Sequence, residues 1–159
     1  MKKAGLTDLL IFIVTAELVG AVSALISGDF RNFYSQLIRP PLSPPAPVFP
    51  VVWAVLYALM GISAYLVYIS HSTGGNRETA LKVYIVQLAV NFMWSILFFR
   101  FRLLFISALT SIVLALLVWT MIRSFRKVSK ISAFLNIPYL LWSIFASYLA
   151  TGTYLLNRK

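Results

Sequence analysis

Glu17, Gln87 and Asn91 are polar side chains set inside long apolar runs, and Trp53, Tyr57, Tyr139 and Trp142 are aromatic ones at helical spacing. An ionised carboxylate within hydrocarbon costs at least a few kcal/mol unless it is paired, hydrated or protonated, so Glu17 must face protein or water. No basic residue lies at matching depth in the sequence. Two roles therefore stay open for Glu17: a proton relay, or a protonated acid held by hydrogen bonds. Gln87 and Asn91, four residues apart, share one helix face with Trp94, Ser95 and Phe98. Such amides either join helices to one another or supply the few polar anchors of an apolar ligand pocket.

Conventional chemistry has no candidates. There is no Ser/His/acid arrangement, no Gly-rich phosphate loop and no close carboxylate pair. With no cysteine and a single histidine, His71, in a polar stretch, no metal site is expected. The net charge of +10 comes from 14 Lys and Arg against four acids. In a chain that is 60% hydrophobic, that excess suits loops facing anionic lipid, and no nucleic-acid partner is expected.

Only 11% of the residues are charged, against about 25% in a soluble domain. A helix that crosses a bilayer needs about 20 mainly apolar residues. Five stretches meet that need, at about 6–27, 48–69, 81–99, 103–122 and 132–156. The expected fold is an all-α, five-helix transmembrane bundle forming a single domain over 1–159, with the lipid bilayer as its solvent. The first run is too long for a signal peptide and carries Glu17, so it reads as a retained helix. Short connections make the second to fifth helices sequential antiparallel neighbours. Basic residues number eight on the N-terminal side, counting Lys2 and Lys3, and six on the other, counting Lys159. That bias places the N-terminus in the cytoplasm. Ala16, Gly20, Ala24 and Gly28 line one face of the first helix; helix packing within the bundle is the preferred role for them, over a dimer seam. Pro138, read as lying inside the fifth helix, should bend it and open space beside Tyr139 and Trp142.

The loop before the second helix, "RPPLSPPAPVFP", is stiff and short of backbone donors. Pro40, Pro41, Leu42, Pro44 and Pro45 are expected to lid a pocket whose wall begins at Trp53. With this loop, "NFMWSILFF" and "PYLLWSIFASYLATGTYLLN", the sequence resembles the TspO/MBR family of tryptophan-rich sensory proteins and mitochondrial translocator proteins. The resemblance spans about 28–157. It implies a pocket for porphyrin or haem, bound as ligand and not as a required cofactor, often in a homodimer. It also implies a bacterial cell membrane as the location.

Carried over position by position, Trp53, Asn91 and Trp142 resemble the family's pocket residues, and Tyr57, Phe92, Trp94 and Ala146 match neighbouring ones. Phe49 and Tyr139 complete the expected ligand wall, and a bulky residue at Ala146 should crowd it. The expected function is a porphyrin-binding sensor or regulator. The alternatives are light-dependent porphyrin breakdown, with Trp53 and Trp142 as redox participants, and transport of porphyrin or sterol-like molecules. The sequence departs from the family pattern "KPxWxPP" at Leu42, and from "VFGPVW" at Pro50. Loss of the loop tryptophan weakens the photochemical alternative, because indoles are the plausible electron donors.

Overall fold

A computed structural model describes residues 5–71 and 75–158 of the chain; Lys2, Lys3 and Lys159, used above for the charge bias, lie outside them. The elements are α1 (Leu6–Ser27), α2 (Phe30–Gln36), α3 (Val48–Ile69), α4 (Asn76–Ser95) with a π-helical turn (Ile96–Arg100), α5 (Leu104–Arg126), α6 (Lys130–Leu135) and α7 (Ile137–Asn157). Five spans are long and apolar enough to cross a bilayer: α1, α3, α4 with its π turn, α5, and α6 with α7.

α1 and α3 have the expected ends. Gly28 stops α1 with φ +80°, a left-handed conformation in which glycine has no Cβ penalty. Pro47 precedes α3, and Pro50 falls in its first turn, where a missing N–H removes no helical hydrogen bond. α4 begins five residues before the expected start at 81, because its first turn is the polar "NRETA", which a hydropathy window passes over. α5 runs past the expected 122 to Arg126; Arg123 and Arg126 in its last turn complement the negative helix end.

The fifth span corrects the expectation for Pro138. The chain turns at Asn136, whose buried side-chain amide donates to Ser63 Oγ (2.7 Å) and Ser132 O (2.9 Å). Pro138 follows in the first turn of α7, where it is well tolerated, instead of bending a continuous helix from within. The segment between α1 and α3 also holds the short helix α2, capped by Asp29, whose Oδ1 accepts from Asn32 N–H (3.2 Å).

α5 packs most extensively against α7 and α4. α3 meets α4 along a limited face, and its main partner is α1. The core therefore runs through the middle of the ring of helices, with Met60, Val118, Met121, Phe125 and Tyr139 buried there. Leu10, Ile11, Val14, Leu18 and Val22 of α1 point outward, a face suited to lipid chains. Of the small-residue stripe, Ala16 is fully buried and Gly20 lies against the Tyr57 ring, so at these two positions the stripe serves packing.

α1 and α3 approach closely where Phe12 and Ile13 meet Gly61. A Cβ built on Gly61 would stand 2.6 Å from Ile13 Cα and 2.8 Å from Phe12 O. Further out, from Tyr57 toward Pro50, the space between α1, α3 and α4 is a cavity.

Candidate functional site

The cavity has a volume of about 260 Å³. α3 presents Phe49, Trp53 and Tyr57 to it, four residues apart and hence on one face. α4 presents Asn91, Trp94 and Ser95, and the π turn adds Phe99. α1 supplies Glu17, Gly20, Ser23 and Ser27, with Ala21 and Ala24 beside them. Ala21 and Ala24 are exposed, as are Pro50 and Ala54 across from them. The mouth therefore opens on the flank of the bundle between α1 and α3, within the membrane-spanning lengths of both helices.

Each wall is fixed by its neighbours. Trp53 sits edge-on to Tyr139 (ring centroids 6.1 Å apart) and tilted against Tyr57 (5.7 Å). The Trp94 indole N–H donates to Ser107 O of α5 (3.0 Å), which holds its ring in the wall. Phe98 stacks on Trp94 (5.4 Å), while Phe99 meets both Trp94 (6.2 Å) and Phe30 (5.8 Å) edge-on. Within the π turn the two rings also meet edge-on (4.8 Å), and Phe99 lines the cavity.

A buried polar chain lies behind the wall. Asn91 Nδ2 donates to Tyr139 Oη (3.1 Å), Tyr139 O–H donates to Gln87 Oε1 (2.8 Å), and Gln87 Nε2 approaches the Met60 sulfur (3.7 Å). Tyr139 and Gln87 are fully buried. Both amides join helices through these bonds, and Asn91 also lines the cavity. Tyr139→Phe should cost about 2 kcal/mol, because it leaves two buried amide groups without their shared partner; unfolding of the purified variant in detergent checks this.

Of the expected ligand residues, Phe49, Trp53, Tyr57, Asn91 and Trp94 come together at the cavity. Phe92, Tyr139, Trp142 and Ala146 are not among its lining residues. Phe92 is one position round the helix from Asn91 and contributes its carbonyl, which accepts from Ser23 O–H (2.8 Å). Tyr139 lies deeper in the core. Trp142 stands behind Phe49 (6.0 Å, edge-on) and borders a separate shallow groove with Val51, Val55, Pro138 and Leu141. The space beside Pro138 is this outer groove, which Trp142 shares and Tyr139 does not.

The loop residues Pro40, Pro41, Leu42, Pro44 and Pro45 do not line the cavity either. The loop is tied to the C-terminal half of α7: Tyr148 O–H donates to Pro41 O (2.9 Å), Asn157 bonds Ile38 at both N–H and carbonyl, and Pro40 lies against Gly152. Tyr34 links loop to cavity, donating to Pro44 O (2.7 Å) and meeting Phe49 edge-on (5.3 Å). Leu42 is 83% exposed with φ +67°, a conformation that most side chains avoid. Sequence reasoning missed the α1 side of the cavity and also Phe30 and Ala54. The available signal was Gly20 and Ala24, which it assigned to packing, with Ser23 and Ser27 beside them.

The fold and this cavity define an integral, multi-pass membrane protein with an aromatic chamber inside its helix bundle. A sequence profile of the TspO/MBR family matches residues 11–155. The chain is 31% identical to the tryptophan-rich protein TspO of Bacillus cereus over 157 residues, covering 99% of both chains. It is 32% identical to protein CrtK of Rhodobacter capsulatus over 157 residues (96% and 94% of the two chains). It is also 32% identical to the translocator protein of Ovis aries over 127 residues (78% and 74%). The chain belongs to the TspO/MBR family.

Proposed function

We propose that this protein binds a tetrapyrrole, porphyrin or haem, and acts as a membrane sensor or regulator of it. The observation that carries the reading is the cavity wall itself: Phe49, Trp53, Tyr57 and Trp94 offer aromatic surface to a flat apolar ring, and Asn91 adds an acceptor. The outer end suits the ring's carboxylate arms, since Arg31 lies over Phe30 (5.9 Å), Arg39 over Tyr34 (5.0 Å) and Arg102 over Phe33 (4.8 Å). The volume of about 260 Å³ is near the lower limit of about 300 Å³ for small-molecule pockets. A macrocycle would enter edge-on, with part of it left at the α1–α3 mouth. The cavity offers neither imidazole nor thiol, so recognition falls on the ring and its edges, and metal-free protoporphyrin should bind comparably to haem.

Basic residues at the inner ends, Arg77, Lys82, Arg123, Arg126, Lys127 and Lys130, favour a cytoplasmic N-terminus, with the Pro-rich loop on the opposite side. Homodimer formation belongs to the same reading and draws on family likeness. Titration with protoporphyrin should quench tryptophan fluorescence saturably. Trp53→Ala or Asn91→Ala should weaken binding about tenfold, the loss of one stacking or hydrogen-bond contact, and Trp142→Ala by about twofold at most. Equal affinity in wild type, Trp53→Ala and Asn91→Ala would remove this cavity as the site.

A further inference from the structure

The cavity's polar groups are unevenly spent. Ser23 O–H donates to Phe92 O, Ser27 O–H to Ser23 O (2.7 Å), Asn91 N–H to Tyr139 and Trp94 N–H to Ser107 O. These donors point into the protein. The groups left toward the chamber are chiefly acceptors: the Asn91 carbonyl, the serine lone pairs and the Glu17 carboxyl. The remaining polar group on the α3 side is the Tyr57 hydroxyl.

Glu17 stands apart from the other three acids of the chain. Asp29 caps α2, Glu78 pairs with Lys82 (2.7 Å), and Asp8 sits in the first turn of α1, where the helix dipole favours it. Glu17 lies near the middle of 22-residue α1, at bilayer depth, and lines the cavity. The other polar or aromatic residues that line the cavity with it include Tyr57 on α3 and Asn91, Trp94 and Ser95 on α4; no Lys or Arg is among the lining residues. A carboxylate so placed lacks a compensating charge, and a bound cation would provide it.

We infer that the cavity selects a ligand with a protonated nitrogen on a flat apolar body, the nitrogen held at Glu17 and the body against Trp53 and Trp94. The inference rests on the reading of the cavity as a ligand site and adds the charge of the preferred ligand.

Three flat tricycles of similar ring size separate the charge states: 9-aminoacridine (cation), anthracene (neutral) and anthracene-9-carboxylate (anion). Each is titrated into the full chain in non-ionic detergent at neutral pH, read by energy transfer from tryptophan and by competition with protoporphyrin. Wild type should prefer the cation over the anion by at least about tenfold, and Glu17→Gln should lose about tenfold for the cation with anthracene unchanged, the usual effect of removing a charged hydrogen-bond partner. The order of preference in wild type needs no variant, so a poorly folding Glu17→Gln leaves the test intact. Equal binding of cation and anion, or a Glu17→Gln variant that keeps the cation's affinity, overturns the inference. If no tricycle binds while protoporphyrin does, the charge selection fails and the tetrapyrrole reading stands; if protoporphyrin also fails, the cavity itself is lost as a site.

Discussion

Gly61→Ala is expected to destabilise the bundle by about 3 kcal/mol, the upper end for overpacking a tight interface. Its new methyl would stand 2.6 Å from Ile13 Cα and 2.8 Å from Phe12 O, and both are backbone atoms of α1. Backbone in a regular helix has no rotamer through which to withdraw, so α1 would have to move away from α3 as a unit. Gly152→Ala is the informative comparison. Its methyl would meet Pro40 Cβ at 2.7 Å, almost as close, but Pro40 belongs to a loop that can shift. Here the cost should be about 1 kcal/mol. Unfolding of both variants in detergent checks the difference, and equal losses would mean that the α1–α3 contact is softer than its geometry indicates.

The ends of α1 and α3 were legible because uninterrupted apolar runs stop at strong local signals, Gly28 and Pro47 for instance. The start of α4 was not, since "NRETA" is a polar first turn, supported by the Glu78–Lys82 pair, that hydropathy does not register. α2 is seven residues long and rests on the Asp29 cap and on the packing of Phe33 and Tyr34, neither of which appears in a 20-residue window. The break at Asn136 depends on Ser63, a residue 73 positions away. Contacts of that range leave no periodicity to read.

At the site, Phe49, Trp53 and Tyr57 were legible as one face of α3, and Asn91 with Trp94 as one face of α4. Helical spacing tells which residues share a face, but not which neighbour that face meets. Trp142 shows the difference: α7 presents it to the far side of α3, behind Phe49, where no cavity-lining role follows from its residue type. The α1 wall had the opposite problem. Gly20 and Ala24 read as packing residues, and Gly20 is one, yet the same absence of side-chain bulk that lets Tyr57 approach also leaves the chamber open beside it.

Ala54→Trp should therefore weaken protoporphyrin binding about 100-fold, equivalent to about 2.7 kcal/mol, while Ala146→Leu should leave it within about twofold. Ala54 is exposed at the mouth, one position from Trp53, and an indole there would project across the gap toward Ala21 and Ala24. The chamber has no slack to absorb it: about 260 Å³ is already small for a ligand site. An obstruction at a lateral mouth excludes any ligand that must protrude through it, whereas it barely disturbs folding, because the new ring faces lipid-accessible space. Family resemblance leads to the reverse ranking, with Ala146 as the position where bulk crowds the ligand. In this structure Ala146 lines neither the cavity nor the groove beside Trp142. Binding by Ala54→Trp at wild-type strength, with loss in Ala146→Leu, would move the site from the α1–α3–α4 chamber to the α7 side of the bundle.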